Sequence, residues 1–579
     1  MPVSPVELNL KRLPPYRRRI FLPETVDLRD KDTIVELHQR LLDRAIESRD
    51  DLEKWLLDRS ELEAALQQEG SVLYIQMTCQ TDDQEKAQAY KDFIETVIPA
   101  VQPLNDQLNR KYLQDNERFP LDENRYGIYS HSLRTDVELF RKENIPLQTR
   151  LALLSQDYQT VCGAMTVEFQ GKERTLPEMS KFLLEPDRVL REEAWRATAQ
   201  RRLRDRDKLD DLFEQMLGLR DQIARNAEYP NYRDYQFRAY HRFDYTPDDC
   251  KLYHKTVERV VVPIWKKILE KRRREMTLEN LRPWDLSVDP HGRPPLKPFT
   301  TVDELTQKVV KIFERVNAEL GSQFRMMAEL GLLDLASRKG KAPGGYQSTL
   351  AEVRKPFIFM NAVGVHDDVN TLLHEGGHAF HSLACAHDPL AAYRHGPMEF
   401  NEVASMGMEL LGGEHLGVFY GDEEIKRCRR EHFEGTVHIL CWVAAIDAFQ
   451  HWIYENPKAE RKERTRVWTG ILRRFGTDVV DWSGLEEVMA ALWHRQLHIF
   501  EVPFYYIEYG IAQLGALQLW VNAKKDFQAA LKAYREGLAL GGSRPLPELY
   551  QTAGLKFDFS EKTIAPLMDA VMEELRKLS

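Results

Sequence analysis

Asp368-Val369-Asn370-Thr371-Leu372-Leu373-His374-Glu375-Gly376-Gly377-His378-Ala379-Phe380-His381 is the stretch on which the reading of the fold turns. His374 and His378 stand four residues apart, about one helical turn, so on a helix both imidazoles leave the same face. Two neutral imidazoles placed in this way can hold a Zn²⁺ at roughly 2.0–2.1 Å each, while Glu375, offset around the helix, can reach a water beside the metal. Asp367, Asp368 and Asn370 offer acceptors where a helix start needs them, and Val369, Leu372, Leu373, Ala379 and Phe380 give it apolar positions to bury. Against a helix stands the Gly376-Gly377 pair, because each glycine costs about 1 kcal/mol relative to alanine in a helix interior. A pair kept at that cost implies close approach by another backbone, either a substrate strand or a neighbouring helix.

A catalytic zinc takes three protein ligands and keeps one position open, and Glu402 is the best candidate for the third. It lies in Pro397–Leu410, which reads as an amphipathic helix after a loop containing His395, Gly396 and Pro397. A helix, a loop and an antiparallel helix can return that carboxylate to the metal. Glu399 and Glu409 share roughly its face and are candidates to accept hydrogen bonds from the ligand histidines. His381 also falls on the His374/His378 face but reads as a buried, hydrogen-bonded histidine rather than a ligand.

Taken in order, Gly344-Gly345-Tyr346, Pro356-Phe357-Ile358-Phe359-Met360-Asn361, the histidine run and Phe400-Asn401-Glu402-Val403-Ala404-Ser405 resemble the oligoendopeptidase F group of the thimet-oligopeptidase-like zinc metallopeptidases. The resemblance continues through His498-Ile499-Phe500, Pro503-Phe504-Tyr505-Tyr506-Ile507-Glu508-Tyr509-Gly510, Gly541-Gly542-Ser543 and Ala553-Gly554-Leu555, and upstream through Tyr229-Pro230-Asn231-Tyr232. It implies a mainly α-helical, two-lobed, zincin-type fold with a deep substrate cleft or channel and a small β element beside the active site. It also implies one Zn²⁺ per chain on His374, His378 and Glu402, Glu375 as general base, and His498, Tyr506 and Tyr509 facing the metal from the opposite wall. A phenol or imidazole N–H held there would stabilise the oxyanion of the transition state more than the ground-state carbonyl. Of the tyrosines, Tyr509 fits the pattern best, Tyr506 next and Tyr505 least. Gly344, Gly345 and Tyr346, in a loop that begins near Lys341, suit contact with a substrate backbone because glycine permits close approach.

The function so implied is zinc-dependent cleavage of internal bonds in short unfolded peptides. A zinc carboxypeptidase is the alternative, and it would need a cationic clamp for the terminal carboxylate. A peptide-binding protein without catalysis is disfavoured, since three ligands and a base are all present.

With 579 residues, 43% hydrophobic and 10% aromatic, the chain can bury a large core and divide into lobes. We expect an N-terminal helical lobe over residues 1–180 and a catalytic region over 181–579, structurally interleaved with it. A formal net charge of -10 argues against a general nucleic-acid surface. The longest apolar run, Ile439 to Ile446, stops at Asp447, far short of a membrane span. Met1 to Glu24 lacks the apolar segment of a secretory signal, and Cys79, Cys162, Cys250, Cys385, Cys428 and Cys441 form no C-x-x-C pair, so a cytoplasmic location with reduced thiols is expected.

Helical periodicity covers segments near 31–68, 84–115, 147–163, 187–228, 248–278, 302–333, 423–455, 485–500 and 561–577. Met165–Phe169 and Glu173–Leu176 read as a hairpin about Gly171-Lys172, and Pro356–Asn361 as a short strand positioned to pair with an extended peptide. Proline-rich Arg282–Thr300 reads as an internal loop.

Overall fold

The computed structural model describes Leu8 and residues 10–578; residues 1–7, 9 and 579, at the outer ends of the two expected regions and of the Met1–Glu24 reading, lie outside the described residues. Helices form where the periodicity places them, with breaks that have local causes. The 31–68 segment divides into Lys31–Leu42 and Arg49–Cys79, the second opened by Ser48, whose hydroxyl accepts the Asp51 N–H at 3.1 Å. The 302–333 segment divides at Asn317, which caps Ala318–Glu329 through the Glu319 N–H. Segments 84–115 and 248–278 each contain a π turn, Phe93–Val97 and Val257–Val261, just ahead of Pro99 and Pro263. Proline has no N–H to donate and crowds the preceding turn, so a wider turn accommodates it.

Two departures from the helical reading bear on the site. The 485–500 helix is three short pieces, Glu486–Ala490, Leu492–Arg495 and Leu497–Glu501, because Gln496 adopts an extended backbone between the last two. Ile507–Lys525, which carries Tyr509, was not anticipated as a helix; it is apolar on nearly every side and buried, so it lacks the one-sided stripe that marks surface helices.

The expected hairpin is present as β1 (Thr166–Phe169) and β2 (Lys172–Thr175), closed by Gln170 and Gly171, both with positive φ as tight hairpin turns require. The strand before the metal helix, β5 (Lys355–Ala362), is the centre of a three-stranded sheet. β3 (Leu333–Ala336) pairs with it in parallel, and β4 (Tyr346–Leu350) antiparallel. Both edges of β5 are therefore taken, and it cannot pair with a peptide; β4, which begins immediately after Gly344-Gly345, is the edge strand on the side of the metal helix.

Two buried cores follow from this architecture. The larger draws residues from Leu13 to Leu575, and the smaller joins Phe21 through Leu133 with Leu390 and Tyr393. Arg49–Cys79 belongs to both, with Trp55 and Leu56 in the smaller core and Val72, Ile75 and Cys79 in the larger. Tyr393, just beyond the metal helix, donates to the Arg125 carbonyl at 2.8 Å, and Arg125 pairs with Asp388 at 2.7 Å. Arg282–Thr300 is an internal loop as expected, anchored by Asp285, which is fully buried against Arg188 and Arg191. Among the described residues no helix is long and apolar enough to cross a membrane. Between the packed helices lies a cleft of about 1460 Å³, larger than the roughly 300–1,000 Å³ of ordinary small-molecule pockets.

Candidate metal centre and active site

The histidine run lies in one helix, His366–Ala384. Its start is fixed by Asp368, whose Oδ2 accepts the N–H groups of Val363, Gly364 and Val365 at 2.8, 2.7 and 2.9 Å. Asp367 and Asn370, the other expected acceptors, line the cleft instead.

The glycine pair is explained by packing. A Cβ on Gly377 would stand 2.4 Å from the Ala404 carbonyl oxygen and 2.6 Å from the Ser405 Cα, so only glycine lets the helix Met398–Gly413 come this close. On Gly376 a Cβ would stand 2.5 Å from the Phe313 ring. The close approach is thus made by a neighbouring helix and a ring, and its result is to bring Glu402 beneath the two imidazoles.

There the Glu402 Oε2 lies 3.4 Å from His374 Nε2 and 3.5 Å from His378 Nε2. These separations exceed a hydrogen bond and match donors arranged around a common point. His374 Nδ1 is held by Glu409 at 2.6 Å, which orients the ring and leaves Nε2 free. Glu402 is held in turn by the Ser405 hydroxyl at 3.0 Å and the Tyr505 hydroxyl at 2.7 Å. Burial pushes the Glu402 pKa up, but the charges of His378 and His374 beside it outweigh that and hold the carboxyl well below its usual range. Two nitrogens and an ionised oxygen, all within 4.8 Å of one another, are a donor set suited to zinc.

Glu375 is 5% exposed, and its Oε2 has no hydrogen-bond partner among the described residues. Burial raises its pKa, against the pull of His374 and His378. Gly345 borders it, since a Cβ there would sit 3.5 Å from Glu375 Oε1. Gly344 has φ +90°, and Asn361 donates to its carbonyl at 2.9 Å. Lys341 pins the same loop by donating to Asp334, Ala336 and Met360, and burial lowers its pKa to about 8. Tyr346 turns into packing: its ring stacks on Phe359 at 4.7 Å and its hydroxyl meets Thr78 at 2.6 Å.

The opposite wall is built on the turn before Ile507–Lys525. Phe504 has φ +66°, a strained value for a bulky residue, and three contacts hold it there. Its N–H donates to Gln450 at 2.5 Å, its carbonyl accepts from Arg242 at 2.6 Å, and its buried ring packs on His451 at 5.5 Å. From this turn His498 Nε2 meets the Tyr509 hydroxyl at 3.1 Å, while Gln496 holds His498 Nδ1 at 2.9 Å. Tyr506 packs its ring 5.0 Å from His498 and 5.1 Å from Tyr509. His374, His498, Tyr506 and Tyr509 all line the one cleft.

Reading the residues alone undervalued several of these groups. Tyr505, ranked last of the tyrosines, grips the Glu402 carboxylate. Arg242 was overlooked although it pairs with Glu508, approaches Glu399 at 3.6 Å and stacks over Phe237 at 4.5 Å; its place in the aromatic run Phe237–Tyr245 was the available signal. Gln496 left no signal. Glu409 fulfils the partner role considered for it, whereas Glu399 accepts from Tyr245 at 2.6 Å, away from the histidines. His381 is outside the donor set, buried against Phe400 in the space that a side chain on Gly396 would need.

Over residues 182–568 the chain matches the family model for Peptidase family M3, and over 24–140 the Peptidase M3 N-terminal domain. The chain therefore belongs to peptidase family M3. An oligoendopeptidase F homolog of Borreliella burgdorferi is 22% identical, across 77% of this chain and 76% of that protein. Oligopeptidase PepF of Bacillus subtilis is 26% identical across 45% of this chain and 40% of its own. Among solved structures, that of PZ peptidase A with an inhibitor superposes at a TM-score of 0.90 with 26% identity, covering 96% of this chain and 99% of that one. A structure proposed to be an oligoendopeptidase F also reaches 0.90, with 29% identity over 96% of this chain and 98% of its own.

Proposed function

We propose that the protein is a zinc-dependent oligoendopeptidase that hydrolyses internal bonds of short unfolded peptides. The observation that carries this reading is the convergence of His374 Nε2, His378 Nε2 and Glu402 Oε2 within 4.8 Å of one another beside the cleft that His374 lines, with the unpartnered Glu375 next to them. His374, His378 and Glu402 would hold the ion, with Glu409, Ser405 and Tyr505 keeping the donors in place. Bound Zn²⁺ supplies Lewis-acid polarisation of the scissile carbonyl and lowers the pKa of water.

The remaining steps belong to the chain. Glu375 accepts a proton from the attacking water and delivers one to the leaving amine, a role that its burial and raised pKa favour. The Tyr509 hydroxyl, oriented by His498, donates to the carbonyl oxygen as charge develops there, and Tyr506 shapes the same wall. Gly344 and Gly345 let the peptide backbone approach Glu375, and β4 offers an edge for it to pair with. Folded proteins are excluded by a cleft walled on both sides. A cytoplasmic setting fits six cysteines that are all unpaired.

Mass spectrometry of a mixed peptide library incubated with the protein tests the reading. Internal cuts in peptides below a length limit are expected, together with about one zinc per chain. Release of single C-terminal residues throughout would replace it with the carboxypeptidase reading.

A further inference from the structure

Arg495 lies three residues before His498 on the wall that carries the oxyanion donors, exposed to the cleft it lines. Of the other cleft arginines, Arg272 donates to the Asp285 and Val288 carbonyls and Arg427 pairs with Asp289 and Glu431, while Arg273 and Arg473 lie on the helices Val262–Glu275 and Arg461–Gly476, away from the segment that carries His498. Among the described residues no carboxylate or carbonyl accepts from Arg495. Its guanidinium is 5.2 Å from the centre of the Trp442 ring, and the Trp442 N–H donates to Gln496 at 3.1 Å. Trp442, Gln496, His498 and Tyr509 thus form one hydrogen-bonded row from beneath Arg495 to the oxyanion donor.

A guanidinium stacked on an indole keeps its N–H edge directed outward in a fixed plane, the geometry that receives a carboxylate through two parallel hydrogen bonds. We propose that Arg495, seated on Trp442, is a subsite for the C-terminal carboxylate of the peptide substrate. It rests on the peptidase reading and adds a ruler to it: with the terminus anchored at Arg495, the bond cut is the one that then lies between Glu375 and Tyr509. The length of the C-terminal fragment released measures that distance. An acidic side chain near the end of the peptide offers the same chemistry.

The test uses three peptides of one sequence lacking acidic residues: the free acid, the C-terminal amide, and the amide with Glu as its last residue. Binding to Glu375→Gln protein by calorimetry and kcat/KM on the wild type are both measured. The free acid should exceed the plain amide by about 10- to 100-fold in each, the range of a charge-assisted hydrogen bond. In Arg495→Gln and Arg495→Lys proteins with unaltered thermal midpoints, the ratio should collapse towards one for Gln and fall partway for Lys. Rescue of the amide by terminal Glu assigns the subsite to carboxylates in general, and no rescue restricts it to the main-chain terminus. Equal binding of acid and amide by the Glu375→Gln protein overturns the proposal, as does a ratio that survives Arg495→Gln. Loss of turnover with the binding ratio intact would instead count against the peptidase reading alone.

Discussion

Two clusters of metal-capable side chains lie in this chain, and they behave in opposite ways. His374, His378 and Glu402 form a cluster that borders the cleft through His374; Cys250, Asp447 and His451 are sealed in the core, with their candidate donor atoms also within 4.8 Å of one another. Each is built from helical pairs four residues apart, His374/His378 in the first and Cys250/His254 with Asp447/His451 in the second. The difference lies in which bonds are already made. In the open cluster the nitrogens stand 3.4–3.5 Å from the carboxylate, beyond hydrogen-bond reach, and Glu409 and Tyr505 hold the donors from behind. In the sealed cluster His254 Nε2 is already bonded to Asp447 at 2.7 Å, and His451 lies 3.2 Å from the same oxygen. Donor type and spacing alone do not define a metal site: in the sealed cluster a further imidazole, His254, already takes the carboxylate oxygen that His451 faces, although Asp447 Oδ1 and the His451 nitrogens have no hydrogen-bond partner among the described residues. The sealed cluster has a structural role, because the His451 ring supports the strained Phe504 turn from which Tyr505, Tyr506 and Tyr509 project.

The sharpest way to break this contrast is to remove a donor from the open cluster. His374→Ala or His378→Ala should take zinc from about one per chain to none and abolish peptide cleavage. Loss of an outer hydrogen-bond partner alone weakens metal affinity by about 10- to 100-fold, so loss of a direct ligand must exceed that. Metal content measured by mass spectrometry after dialysis decides it, and retention of zinc in both variants would refute the assignment.

Glu375→Gln should come next in size. The amide keeps the shape of the side chain but cannot take the water proton, so kcat should fall by about 10²- to 10⁴-fold while zinc and peptide binding remain. Near-normal turnover on short peptides would dispose of the general-base mechanism.

Tyr509→Phe asks whether the far wall acts in the transition state. Deleting the hydroxyl should lower kcat by roughly 10²- to 10³-fold with little change in KM. A raised KM at unchanged kcat would make Tyr509 a substrate contact instead.

How much of this was legible beforehand follows the same physics. The metal helix, Glu402 and the Glu409 partner could be read because helical spacing fixes which side chains share a face. Tyr505 could not be ranked correctly: adjacent to Tyr506 and Tyr509 in a short run, its direction depends on the positive φ of Phe504, which no local pattern signals in a bulky residue. Nor could β5 be recognised as a central strand, because its two neighbours arrive from separate parts of the chain, β3 before the Lys341 loop and β4 after it. Ile507–Lys525 escaped because burial on all sides through Trp520 removes the amphipathic signal. What failed in each case was information carried by contacts distant in sequence.

Asp447→Asn should give the smallest catalytic effect and the clearest separation of the two clusters. The amide preserves volume, so the packing around Phe504 survives, but it removes the charge that His254 and His451 face. The cost falls on folding: weakening a buried hydrogen bond to a charged group removes about 1–3 kcal/mol, seen as a lowered thermal midpoint. Zinc should remain at about one per chain, because this cluster holds none, and kcat should stay within a few-fold of wild type because the tyrosines are supported through Gln450 and Arg242 as well. Pairing Asp447→Asn with Gln450→Ala sharpens the test: if both buttress the same turn, the double variant should lose more kcat than the product of the single losses. A wild type carrying two zinc ions, with one lost in Asp447→Asn, would instead make the sealed cluster a second metal site and erase the contrast.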